Sequence, residues 1–368
     1  MKKTSQIITT VLFAGMIGLF GILHVALPDG AISETERRAL ASFPTFSAQS
    51  VFDGTFMKNL ESYLPDQFPL RETFRTVKAV FEKASGRLDT GDVYEFDGHL
   101  AKLDYVLNEN SVTKAGAKLE KIRNIFPAAN AYLSVIPQKD YYIHTTTYPR
   151  LDTNHLISLL NENTPSYEKI DITGTLTLDS YYKTDSHWRQ EWIFDTAELL
   201  MRCMGIPADV IDQGIYTQHE ITDFYGVYTG QSALPVNSES ILYHTSAGIN
   251  SSTVTCVGAE CDSIYTLSKL DDEKSVDMYD IFLGGAVPLV TIENADASTD
   301  RTLILVRDSF GSSIAPLFVD SYAKIYVVDL RYIASPVLTQ FISADENTDL
   351  LVLLSTGILN QSEMLKVQ

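Results

Sequence analysis

The run Leu303-Ile304-Leu305-Val306 is apolar without alternation, stops on Arg307-Asp308-Ser309, and gives way to the small residues Gly311-Ser312-Ser313. An unbroken apolar strand fits a sheet covered on both faces, which implies parallel strands joined by helices. Other segments repeat this rhythm. Helices are predicted over Val112 to Phe126, Glu191 to Met204 and Phe310 to about Tyr322, and strands over Ala131 to Pro137, Thr302 to Val306, Lys324 to Val328 and Asp349 to Leu354. The fold class that follows is α/β, a mostly parallel sheet covered by helices. A serine at the strand-to-helix break stands proud of such a sheet, at the edge where ligands bind in open α/β folds.

A serine hydroxyl becomes nucleophilic when an imidazole takes its proton, and the imidazole needs a partner that fixes its tautomer. Thr184-Asp185-Ser186-His187-Trp188 offers both groups. In an extended segment residues two apart project to one side, so Asp185 reaches one ring nitrogen while the other faces Ser309. The candidate triad is Ser309 as nucleophile, His187 as general base and then acid, and Asp185 as orienter. Candidate oxyanion donors are the Ser309 N–H at its helix start and Gly284-Gly285, where missing side chains let amides approach a ligand. Trp188 reads as a packing residue beside the site, with a sugar platform as the alternative. Arg331 follows the strand after the nucleophile and emerges at the same edge, as a substrate contact or a salt bridge. No His-Glu-x-x-His or zinc-type Cys pattern is present, so neither metal nor cofactor is expected.

The Asp-x-His-Trp run followed by a strand ending in Asp308-Ser309-Phe310 resembles the SGNH-hydrolase-like proteins of the alginate O-acetyltransferase group, and most closely their Gram-positive DHHW relatives. Further motifs fall in that family's order: Ser33-Glu34-Thr35-Glu36-Arg37-Arg38-Ala39-Leu40 with Phe43-Pro44, Asp66-Gln67-Phe68-Pro69-Leu70-Arg71, Pro137-Gln138-Lys139, Phe224-Tyr225-Gly226, Phe282-Leu283-Gly284-Gly285 and Val328-Asp329-Leu330-Arg331-Tyr332. The resemblance implies an SGNH-hydrolase-like sheet, acetyl transfer, a polysaccharide acceptor and a membrane-bound O-acyltransferase as partner. Asp and His precede Ser here, which matches the permuted order of the alginate group. Three departures stand out: Ser186 in place of the second His, Arg307 in place of the Gly of Gly-Asp-Ser, and Ala286 where relatives commonly carry Asn after the glycines. They motivate the alternative of a non-catalytic polysaccharide-binding or assembly factor on a degenerate fold.

Ile7 to Leu27 is nearly all apolar and about long enough to cross a bilayer as a helix. Lys2 and Lys3 precede it, and Asp29, Glu34 and Glu36 follow, so the positive-inside tendency exports the remainder. A signal anchor is the reading, with a cleaved signal peptide as the alternative. The expected organisation is a cytoplasmic tail and anchor over 1–27, an extracytoplasmic stalk over 28–49, and a catalytic domain over 50–368 with a loop and short-strand insertion at about 213–280. Apolar residues from Phe52 to Phe81 recur at helical spacing, which predicts a helical pair packed on the core. The formal charge of −19, with no Lys/Arg-rich stretch, excludes nucleic acid as a partner. Of the three cysteines, Cys256 and Cys261 suit a small disulfide-closed loop in an oxidising compartment, and Cys203 reads as a buried thiol at a helix end.

Overall fold

The computed structural model describes residues 2–33, 35–207, 213–261, 263–270 and 277–368. Glu34 of the entry motif and residues 271–276 of the predicted insertion lie outside them. The chain divides into two compact units, Met1–Asp92 with Thr229–Val236, and Val93–Tyr228 with Asn237–Gln368.

The larger unit is built on a seven-stranded sheet. Its strands are β1 (Asn130–Ile136), β2 (Glu168–Lys169), β3 (Thr253–Val257), β4 (Leu289–Glu293), β5 (Thr299–Arg307), β6 (Tyr322–Val328) and β7 (Thr348–Ser355), in the spatial order β2-β1-β7-β5-β6-β4-β3. The β2/β1, β1/β7, β7/β5 and β5/β6 pairs are parallel, and β4 pairs antiparallel with both β6 and β3. Burial follows from composition. All eight residues of β7 are buried, with Leu350, Val352 and Leu354 in one apolar cluster and Leu351 and Leu353 in the other. Successive strand residues face opposite ways, so each face needs its own cover.

The first cluster is completed by Val112, Leu119 and Ile122 from a helix at Glu109–Ile125 and by Leu156 and Leu160 from a helix at Thr153–Glu162. The second takes Phe194, Ala197 and Leu200 from the helix Phe194–Cys203, and Ile314, Leu317 and Phe318 from the segment after Ser309. That last segment is shorter than its sequence predicts. Only Gly311–Ile314 is α-helical, and Ala315–Phe318 tightens to a 3₁₀ turn, because Pro316 cannot donate to the ladder. Within the predicted insertion, Thr217–Phe224 pairs antiparallel with Glu239–Thr245, while β3 leaves it to become an edge of the main sheet. Cys256 of β3 and Cys261 are joined by a disulfide, and Cys203 is exposed rather than buried.

The smaller unit holds helices α1 (Lys2–Ala26), α2 (Ala48–Phe52), α3 (Thr55–Asp66) and α4 (Arg71–Ala84). Residues Lys3–Ala26 of α1 are long and apolar enough to cross a membrane. The apolar spacing from Phe52 to Phe81 does produce helices, but they bury little of their apolar side: among the described residues, Tyr63 of α3 and Ala79 of α4 are buried. The polar side chains are held inward instead. Arg71 and Arg75 reach Glu36 at 2.5 and 3.1 Å, and Arg38 reaches Asp66 at 2.5 Å. The Arg38 guanidinium holds the Asp66 carboxyl down to about 2.

Because both sheet faces are covered, Leu350→Ala and Leu351→Ala are each expected to destabilise the protein by about 2–5 kcal/mol. Urea unfolding checks this; a near-neutral result at either position would mean that one face is solvated.

Candidate active site

The parallel strands bring their carboxyl ends to one edge, and the loops leaving that edge carry the predicted residues. Ser309 follows β5 across a tight turn pinned by Asp308, whose Oδ1 accepts the Phe310 N–H at 3.0 Å and whose Oδ2 accepts the Ser355 N–H from the end of β7 at 2.8 Å. This buried carboxylate ties the Ser309 turn to the neighbouring strand.

His187 is delivered by a folded-back loop. Tyr181 and Trp188 form an isolated antiparallel bridge, and Tyr182 N–H donates to His187 O at 3.1 Å, leaving residues 183–187 as its bent tip. The sequence expectation of an extended Asp-x-His segment is therefore corrected. Asp185 Oδ1 accepts the His187 backbone N–H at 3.0 Å and also contacts Nδ1 at 2.7 Å, so a side-chain-closed turn brings the two together. His187 Nε2 lies 2.8 Å from Ser309 Oγ. The ring is stacked on Tyr279 with centroids 4.0 Å apart and an interplanar angle of 11°, which fixes its plane. Asp185, His187 and Ser309 thus form one hydrogen-bonded chain.

Asp185 is fully buried, and its second oxygen is used as well: Oδ2 accepts the Val227 N–H at 2.8 Å. The approach of that segment depends on Gly226, whose added Cβ would lie 2.2 Å from the Thr184 carbonyl and 2.4 Å from Asp185 N. Glu239 grips the same loop, accepting the Lys183 and Thr184 N–H groups at 2.6 and 2.7 Å. Lys139 supports it from beneath. Its buried ammonium donates to Tyr182 O at 2.6 Å and to Leu100 O at 2.8 Å. Burial pushes Lys139 down to about 7 against the opposing pull of Asp185 and Glu239. Sequence reasoning named Pro137-Gln138-Lys139 and Phe224-Tyr225-Gly226 as motifs without a task; Lys139 and Gly226 are the positioning residues within them.

The other candidates divide. Trp188 is fully buried, with Nε1 donating to Phe310 O and Ser313 Oγ, both at 2.9 Å, so it holds the segment after Ser309 and presents no ring to a sugar. Arg331 does not contact the triad either. Its Nε and Nη2 donate to the two oxygens of Asp329 at 2.9 and 2.7 Å, and Arg307 reaches the same carboxylate at 3.2 Å. Gly284 and Gly285 sit in a left-handed turn with φ of 72° and 78°, preceded by Leu283 at 58°. The Gly285 N–H is already donated to Phe282 O at 3.3 Å, which leaves Gly284 as the candidate donor of the pair. The Ser309 N–H has no acceptor among the described residues. With only four residues in the following helix, the amide itself rather than a macrodipole is what it offers an oxyanion.

Residues 167–328, which include all three triad positions, match the family model described as DHHW protein. The DHHW resemblance is borne out. A DHHW family protein from Eubacterium siraeum is similar in structure, with 21% identity and a TM-score of 0.61 over 76% of this chain and 96% of that one. Bacillus cereus PatB1, solved with a sulfonyl adduct, is similar at 19% identity and a TM-score of 0.57, covering 73% of this chain and 95% of its own. The fold is SGNH-hydrolase-like. A search of curated proteins found no match.

Lys139 gives the site a pH signature. Its folded pKa of about 7 lies below the unfolded value, so between the two the unfolded chain binds more protons and stability rises with pH. Lys169, pushed down to about 8 by burial, adds in the same direction, so the difference between wild type and Lys139→Met isolates the buried amine. The urea midpoint is expected to climb more steeply in wild type between about pH 7 and 9, with Lys139→Met lower throughout because its carbonyl partners lose their donor.

Proposed function

We propose that this protein is a membrane-anchored, extracytoplasmic serine enzyme that moves an acetyl group to or from a cell-envelope or exported polysaccharide. One observation carries the acyl-transfer reading: the unbroken chain from Asp185 through His187 to Ser309, with links of 2.7 and 2.8 Å. Acetyl as the group and polysaccharide as the acceptor rest on the sequence resemblance to the alginate O-acetyltransferase group. The anchor is α1, and a membrane-bound O-acyltransferase is the expected donor partner.

In this mechanism Ser309 Oγ attacks the acyl carbonyl while His187 Nε2 takes its proton. Asp185 holds the imidazole by Nδ1 and stabilises the cation that forms. The carbonyl oxygen becomes an oxyanion facing the N–H groups of Ser309 and Gly284. As the tetrahedral adduct collapses, the donor's leaving group takes the proton from Nε2 and an acyl-enzyme remains. A sugar hydroxyl, or water, then gives its proton to Nε2 and attacks the acyl carbon; collapse returns the proton to Ser309 and releases the ester or the free acid. Neither Ser186 nor Arg307 takes part in these transfers. Ser186 Oγ lies 3.4 Å from Asp185 Oδ1, and Arg307 is committed to Asp329.

Labelling with a serine-reactive fluorophosphonate or sulfonyl fluoride tests the reading. Wild type is expected to label at Ser309, Ser309→Ala not at all, and Asp185→Asn about 10³–10⁴-fold more slowly because the imidazole loses its tautomer. Gly226→Ala should slow labelling while the protein stays folded, since its methyl displaces the segment that fixes Asp185. Absence of labelling in folded wild type would sink the enzyme reading in favour of a polysaccharide-binding or assembly role.

A further inference from the structure

Exposed apolar side chains are unevenly spread outside α1. Among the described residues, fourteen large ones fall in residues 27–92 and ten in the stretch 93–368, which is about four times as long. They concentrate on helices whose amphipathicity is inverted. On α4, Leu70 at its N-cap, Phe74, Val77 and Phe81 share one face and are 64%, 47%, 60% and 71% exposed. The opposite side carries Arg71 and Arg75, whose side chains are only 15% and 22% exposed because they are drawn into the ion pairs with Glu36 and Glu72. In a water-soluble unit the apolar stripe faces inward and the charges face out. Here the outward stripe calls for an apolar neighbour.

The contacts with α1 say which neighbour. Phe20 of α1 stacks on Phe68 at 5.3 Å and meets the edge of Phe74 at 5.5 Å, and His24 meets Tyr63 at 5.5 Å. A groove between α1 and the α3–α4 turn is lined by Met16, Ile17, Phe20, Leu64, Phe68 and Phe74. Phe20 lies six residues before the end of α1 at Ala26, about 9 Å along the helix axis at about 1.5 Å per residue. Interfacial helices bury their apolar faces about 5–10 Å into the headgroup and acyl boundary. The side chains touching Phe20 therefore lie at lipid depth whenever α1 spans a bilayer.

We propose that the α3–α4 turn and the outward face of α4, with Phe52 of α2, are seated in the outer interface of the bilayer that α1 crosses, so that the partner of this face is lipid. The proposal rests on reading α1 as the anchor. The smaller unit thus acts as a foot that fixes the outer end of the anchor, rather than as a slack tether.

The test uses full-length protein with Cys203→Ser, reconstituted in vesicles of phosphatidylcholine and phosphatidylglycerol containing doxyl-labelled lipid. An environment-sensitive fluorophore is attached in turn through Val77→Cys, Phe81→Cys, Lys83→Cys on the polar side, and Phe13→Cys within α1. Emission at 77 and 81 is expected to shift to the blue and to be quenched several-fold more than at 83, most strongly by doxyl groups near the headgroups. If 13 is quenched while 77 and 81 remain aqueous, the anchor stands and the seating is overturned. Blue-shifted emission at 77 and 81 without lipid quenching also overturns it, since protein, whether this chain, a second copy or a membrane partner, then covers the face. Failure of quenching at 13 removes the anchor reading and the seating with it.

Discussion

The site depends on one buried carboxylate being fully occupied. Asp185 has no exposed side-chain surface, and its oxygens accept from the His187 N–H, the His187 ring and the Val227 N–H. A carboxylate removed from water is tolerated when its lone pairs are taken up by fixed donors. The same donors determine where the imidazole points. Loop 183–187, the chain at Gly226, Glu239 and Lys139 are all required to hold this one group, and the cost of taking it out of water is shared among them.

Much of this was legible in the sequence. Continuous apolar runs at Leu303–Val306 and Leu350–Leu354 specify strands buried on both faces, and parallel order follows from that burial. The Asp185, His187 and Ser309 assignments needed only residue types and the strand-to-helix break. What sequence could not supply was closure in three dimensions. Lys139 reads as an ordinary surface lysine until carbonyls from two separate segments, Leu100 and Tyr182, converge on its ammonium. Thr253–Val257, between Asn250-Ser251-Ser252 and Gly258, suits a short strand, but nothing local says that it pairs with β4 at the edge of the main sheet rather than within the insertion. The helix after Ser309 was overextended because helical periodicity continues through Pro316 while the backbone does not.

The same limit explains the helices of the smaller unit. Periodicity reports that one face is apolar; it does not report which solvent that face meets. Water and lipid reverse the meaning of one pattern, and only the accompanying ion pairs of Glu36, Asp66, Arg71 and Arg75 show that the charges, not the rings, are turned inward.

The departures from the family pattern can be weighed the same way, by asking what each side chain touches. Arg307, where relatives of the wider group have glycine, is buried against Asp329, a carboxylate also claimed by Arg331. A buried guanidinium is held down from its usual value by desolvation and up by that carboxylate. Replacing Arg307 by an apolar residue would leave the Asp329–Arg331 pair intact, whereas replacing Asp329 would leave two cations facing each other in a low-dielectric interior. The latter is the larger disruption, because an unpaired buried charge costs several kcal/mol and a like-charge pair adds to it. Asp329 is therefore the member on which the edge beyond β6 depends, because both Arg307 and Arg331 are neutralised by it.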